Sequence, residues 1–409
     1  MARPLARRQR FDWKTLSFAT FVVAGALKGD ERLSFIPVDL TLLMAGITLF
    51  GVALEANRTR WSRIVLLPIL LFGSFGIGVL RGADTIYADE KVAGLFLLTF
   101  LAVLAPFSIA RTSAQQQRLL NAFVALGAIM AADVLFAIAT GATGFNQRFA
   151  GFSGNPIFSS RVSGTALVII VVSHLYHRRH NPILLLLVSA GLGAAVAASG
   201  SRGTLLGLVA AVIWLISQAT HRAQRIRAMR SLGALAALTI VSVLILVPSS
   251  SLDRFNVERI DQDAGRYELY EFAVGGIVDN PSGLGWGGYY TLDGSLDENS
   301  YPHNIVLEVF VEAGWLSGVI FVIFLTRLWR AVRSWEQDDL LLSYSSLLLY
   351  LFVAGQFSSD INGNRLFFAI AGVVLAREQW LHALSQGANA RGGSYAMRVV
   401  PVDGLIAND

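Results

Sequence analysis

The sequence has no cysteine, which removes disulfide frameworks and thiolate metal sites. It is also short of charge: 15% of its residues are Asp, Glu, Lys or Arg, while 54% are hydrophobic. A soluble chain of 409 residues carries more charge than that. No run of the Gly-x-x-x-x-Gly-Lys type occurs, so ATP is not expected to drive the protein. The basic residues form no single contiguous stripe, which argues against a nucleic-acid partner. The two halves share no matched Pro- or Gly-broken spans, which weakens a transporter reading.

What the chain has is apolar runs. Crossing a bilayer takes about 17–25 residues, and about twelve runs approach that length: 13–28, 34–54, 64–80, 92–110, 119–140, 159–176, 183–198, 203–219, 232–248, 304–325, 340–357 and 366–382. The expected class is therefore all-α, a polytopic membrane protein with one long outer loop containing short helices. With Met1 inside and every run crossing, the inside segments hold 22 of the 33 Lys and Arg residues. That asymmetry is the positive-inside rule, and it predicts both ends inside. The basic stretch 1–10 lacks a small-residue cleavage pattern and is expected to lead a retained first span. The polytopic domain is read as 1–385, with the long loop at 249–302 and a flexible inside tail at 386–409. Within the loop the pattern predicts a helix over 266–278, then Asn280-Pro281 and the Gly-rich turn 283–288, an arrangement able to form a lid.

This topology puts Arg161, Arg202, Arg266, His303 and Arg365 at one outer face. Arginine binds phosphate oxygens through a planar fork and stays charged. Histidine titrates near neutral pH and serves as a base. Together they suit an anionic, lipid-linked substrate. Each has a plainer reading. Arg161, Arg202 and Arg365 sit at span ends, where arginines snorkel to headgroups. Arg266 has Glu268, Glu271 and Asp263 on its own loop, and His303 follows a proline where a helix begins. Asp261-Gln262-Asp263 has metal-binding spacing but lies on the face where nucleotide sugars are not expected.

The segments "SGSRG" around Arg202, "GRYELYEFAVGGIVDNPSGLGWGG" from Gly265 and "YPHNIVLEVFVEAGWLSG" from Tyr301 resemble the hallmark blocks of the O-antigen ligase/polymerase family. The resemblance implies a multi-span inner-membrane enzyme with its site facing the periplasm. Such an enzyme moves a glycan from undecaprenyl diphosphate to an acceptor hydroxyl. The acceptor is a second lipid-linked repeat in a polymerase and lipid A-core in a ligase, and a chain-length regulator is a further expected partner. The family's functional residues fall on Arg202, Arg266 and His303, and more loosely on Arg161. Tyr301, Asn304, Glu308 and Arg365 complete the expected substrate-binding set. Glu308 either orients the imidazole or pairs elsewhere. No metal and no cofactor is expected. Two other classes stay open: a transferase using polyprenyl-phosphate sugars with Asp30-Glu31 as base, and a flippase, which would need more mid-span charge than Asp133.

Overall fold

Each of the twelve apolar runs contains a helix in the computed structural model, which describes residues 12–27, 32, 35–59, 62–141, 149, 151, 154–177, 182–219, 221–247, 264–334 and 338–390. No strand occurs among the described residues. The helices are α1 Trp13–Ala24, α2 Leu40–Glu55, α3 Leu66–Val79, α4 Ile86–Ile109, α5 Ser113–Ala139, α6 Pro156–Tyr176, α7 Pro182–Ala198, α8 Arg202–Ser217, α9 Arg222–Leu246, α10 Ala264–Asp279, α11 Ile305–Ser334, α12 Asp339–Gly355 and α13 Arg365–Ala390. Six of them supply segments long and apolar enough to cross a membrane: Leu40–Arg58, Ile86–Ile109, Ser113–Ala139, Pro156–Tyr176, Arg225–Leu246 and Ile305–Ser334. Five other expected spans are apolar helices of only 10–17 residues, at or below the lower limit of the crossing length. The helix expected over 266–278 is α10.

Local chemistry sets the helix starts. Asp39, Asn155 and Asp338 accept backbone N–H groups at the starts of α2, α6 and α12. Thr112 and Gln115 form a reciprocal capping box before α5. The packing then follows membrane rules. α13 runs through the centre, with Phe367, Phe368, Ala369, Ile370 and Ala371 buried. Small residues allow close crossings: Gly127 meets Ala166, and Gly372 meets the backbone of Val103. Outward faces stay apolar, as at Leu49 and Phe50 on α2 and Leu244 and Ile245 on α9.

The bundle has two chemically different ends. At one, ion pairs join segments that the charge pattern places inside: Lys14 and Arg111 with Glu55, Arg118 with Asp12, Arg327 with Glu378, and Arg377 with Asp338. The other end holds the Gly-rich turn. Trp286 is fully buried there, its indole N–H donating to Phe75 O at 2.8 Å. Gly285, at φ 87°, sits so close to the Arg81 backbone that a Cβ would collide with it. The turn also docks where α11 breaks at Gly314, which has φ 82° and ψ 176°. Leu284 N–H donates to Val311 O and Gly285 N–H to Glu312 O, both at 2.9 Å.

Candidate functional site

The connection between α12 and α13, residues 356–364, is the hub of the second end. Arg161, buried on α6, donates into it four times and once into the last turn of α12. Its guanidinium reaches Gly363 O at 3.0 Å, Asn364 Oδ1 at 3.1 Å, Ala354 O at 3.1 Å, Ser358 O at 2.7 Å and Ser358 Oγ at 3.0 Å. Arg202 opens α8 beside the same segment, because its neighbour Gly203 lies against Phe357, Ala354 O and Ser358 Oγ. Gly200, at φ 61°, makes the turn into α8. From the loop helix α10, the Tyr270 hydroxyl donates to Gln356 O at 3.1 Å, one helical turn beyond Arg266.

His303 stands above this hub. Its φ is 53°, and with Ser359 at φ 64° it is one of two non-glycine residues in the left-handed region among the described residues. Such backbone is strained and concentrates at functional sites. The imidazole lies 4.3 Å from the Tyr301 ring, centroid to centroid, and its buried Nδ1 has no hydrogen-bond partner. Burial, then the positive charge of Arg266, push its pKa down to about 4, against a weaker upward pull from Asp360. Burial pushes the Tyr301 phenol up, so it stays protonated. Asn304 caps α11, its Oδ1 accepting from Val306 N and Leu307 N at 3.0 Å.

Below the hub lies a sealed charge cluster. Lys91 Nζ is 2.7 Å from Glu308 Oε1 and 2.7 Å from Glu312 Oε2, with all three side chains 0% exposed. Glu308 Oε1 also accepts Ile361 N–H at 3.1 Å, and Glu312 Oε2 accepts Gly287 N–H at 3.2 Å. One cluster thus fixes both the hub and the Gly-rich turn. Arg365, which opens α13, lies over the Phe21 ring at 5.5 Å.

Residues 183–322 match the family model described as O-antigen ligase. The chain is O-antigen ligase-like over that segment. No curated protein matches the chain. Six helices long and apolar enough to cross a membrane fit a multi-pass membrane protein, and the match indicates O-antigen ligase/polymerase-type function in general.

The O-antigen ligase-like segment holds Arg202, Arg266, Tyr301, His303, Asn304 and Glu308. Arg161 and Arg365 lie outside it but reach the same end of the bundle. The sequence reading had no place for Lys91, Glu312 or Asp360. Asp360 sits in the hub, its Oδ1 accepting Gly363 N–H at 2.8 Å. Its charge acts on His303, Tyr301 and Arg365 alike. One available signal was Glu308 and Glu312, four residues apart on an apolar helix, which require a buried cation. The stretch 1–10, Asp30-Glu31, Asp261, Asp263 and the tail beyond residue 390 lie outside the described residues.

Proposed function

We propose that the protein is a glycosyltransferase that takes its glycan from undecaprenyl diphosphate. In this reading it is an inner-membrane enzyme with twelve crossings, both ends inside, and the site at the periplasmic face beneath the loop 249–302. Arg202 and Arg266 hold the diphosphate and stabilise the charge that grows on it. An acceptor hydroxyl attacks the anomeric carbon. The new C–O bond forms as the old one breaks, the electron pair leaves with the diphosphate, and the hydroxyl proton goes to His303. A single displacement inverts the carbon, and no metal takes part.

The observation that carries the reading is His303 itself: an imidazole with an unpartnered buried nitrogen, on strained backbone, within the electrostatic reach of Arg266 and Asp360 and held toward its neutral form by burial. A diphosphate seated on Arg266 offsets the charge that holds the imidazole down. Its proton affinity therefore rises when donor is bound, which links base strength to occupancy. Asn304 and Glu308 then act by placing the helix that follows His303, and Arg161 by holding the hub.

The reading commits to a repeat-unit polymerase, whose acceptor is a second lipid-linked repeat and whose partner is a chain-length regulator. The description of the matched family, O-antigen ligase, favours a ligase as the second reading, and its acceptor would be lipid A-core. In the purified enzyme, His303→Ala lowers turnover by about 10²–10⁴ while lipid-linked donor still binds. Unchanged turnover overturns the base role. A deletion strain decides the acceptor: a polymerase leaves single repeats, whereas a missing ligase leaves long chains on undecaprenyl diphosphate.

A further inference from the structure

A cavity of about 450 Å³ lies between α1, α2, α4, α6 and α13; it shares Arg161, Asp360 and Gly363 with the hub, but His303, Arg202 and Arg266 are not on its lining. That volume falls in the range of small-molecule sites. Val22, Leu42, Leu97 and Phe158 give it apolar walls. Leu42 and Leu97 are 59% and 64% exposed on the outer surface of the bundle, so the cavity opens sideways between α2 and α4. The α4 wall is a π-helical turn, Gly94–Thr99, a departure from α geometry that recurs at functional sites.

The charged groups on the lining are unequal. Lys91 is held by Glu308 and Glu312, and Arg161 by the hub oxygens. Asp39 accepts from Thr41 N and Leu42 N at 2.7 and 3.2 Å, and Asp360 from Gly363 N. Glu90 is exposed at the rim. Arg365 is left. Among the described residues it makes no hydrogen bond or ion pair, and its buried Nε has no partner. The charges of Asp360 and Asp39 act on it without an ion pair, and an enclosed guanidinium gains from an anion seated directly on it. An apolar side opening beside one uncommitted cation fits a ligand with an anionic head and a hydrocarbon chain.

We propose that this cavity seats a second lipid: a phosphate or diphosphate ester on a long hydrocarbon chain. Its head lies on Arg365, and its first apolar segment leaves between Leu42 and Leu97. The proposal deepens the transferase reading, on which the identity of the lipid rests, by giving the acceptor a place apart from the donor. It also separates polymerase from ligase, since only the former handles two such lipids.

The test is photo-crosslinking of the full chain in lipid nanodiscs. The probe is a polyprenyl diphosphate bearing a diazirine in its first isoprene unit. Wild type labels residues 40–44 and 94–98. Arg365→Gln lowers that labelling by about tenfold or more, the loss of one charged contact, and Arg365→Lys by less. Leu97→Trp, at an exposed position that leaves the core untouched, lowers it too. His303→Ala leaves it unchanged. Absent labelling at these segments, or labelling indifferent to Arg365→Gln, overturns the proposal. Competition by inorganic diphosphate as effective as unlabelled probe overturns the lipid assignment, and equal competition by phosphatidylglycerol overturns the assignment of the cavity to the acceptor. The readout is occupancy rather than transfer. Labelling that obeys Arg365 in a protein without transferase activity therefore leaves the cavity proposal standing and removes the transferase reading.

Discussion

At the inner-segment end of the bundle, cations meet carboxylates: Lys14 and Arg111 share Glu55, Arg118 has Asp12, Arg327 has Glu378, and Arg377 has Asp338. At the other end the same residue types are arranged differently. Arg161 is surrounded by backbone oxygens, Arg365 faces a cavity, and one lysine serves two glutamates. Both left-handed non-glycine residues of the described chain, His303 and Ser359, are also here. At the first end every cation named has a carboxylate, although Arg111 Nε and Glu378 Oε2 are buried without a hydrogen-bond partner. At the second end the unpartnered His303 Nδ1 and Arg365 Nε coincide with strained backbone and a cavity, and that combination marks the end that meets a substrate.

The largest test of that contrast is at Arg202. Arg202→Ala is expected to abolish transfer at equal membrane abundance, and Arg202→Lys to restore it only in part, because a point charge does not reproduce a bidentate fork. Glycan transfer by Arg202→Ala at the wild-type rate would break the comparison at its centre. Next comes stability. Lys91→Met leaves two carboxylates facing each other in the interior and is expected to cost about 3–5 kcal/mol. Arg118→Ala, at the first end and with its side chain 39% exposed, should cost no more than about 1 kcal/mol. Thermal unfolding of the two variants in one detergent checks the pair; equal losses would erase the distinction. The smallest effect is in pH. His303 must be neutral to accept a proton, so kcat/KM should fall as pH drops through about 4. Arg266→Gln removes one of the two causes that hold the imidazole down. It should move the acid limb of its residual activity upward, toward the ordinary histidine range. A limb that stays in place would place Arg266 out of range of the base.

The apolar runs made every helix but α10 legible, and the basic segments point to the ones whose ion pairs share an end. Lengths were less legible: α3, α7 and α8 are helices where expected, but short. The loop was read correctly as a helix followed by a glycine turn. Nothing in "GLGWGG" disclosed that Trp286 is a plug seated under Phe75 O, because the acceptor lies 211 residues away. Distance hid the Lys91 cluster for the same reason. Lys91 alone reads as a charge at a span end, and only its meeting with Glu308 and Glu312 makes it structural. Asp360 was passed over because "SSDINGNR" has the composition of an ordinary connection. Its importance comes from what the fold brings to it.

Arg161 also constrains the order in which the protein can be made. Its acceptors Ala354, Ser358, Gly363 and Asn364 lie 193 to 203 residues downstream. During synthesis α6 must therefore be held with an unmatched guanidinium while six further helices emerge. The hub is then among the last parts of the bundle to arrive, and its arrival completes the site and neutralises that exposure in one step. A chain ending before residue 364 would lose more than its final helix. It would keep a buried charge with nowhere to go, a cost that a membrane interior does not forgive.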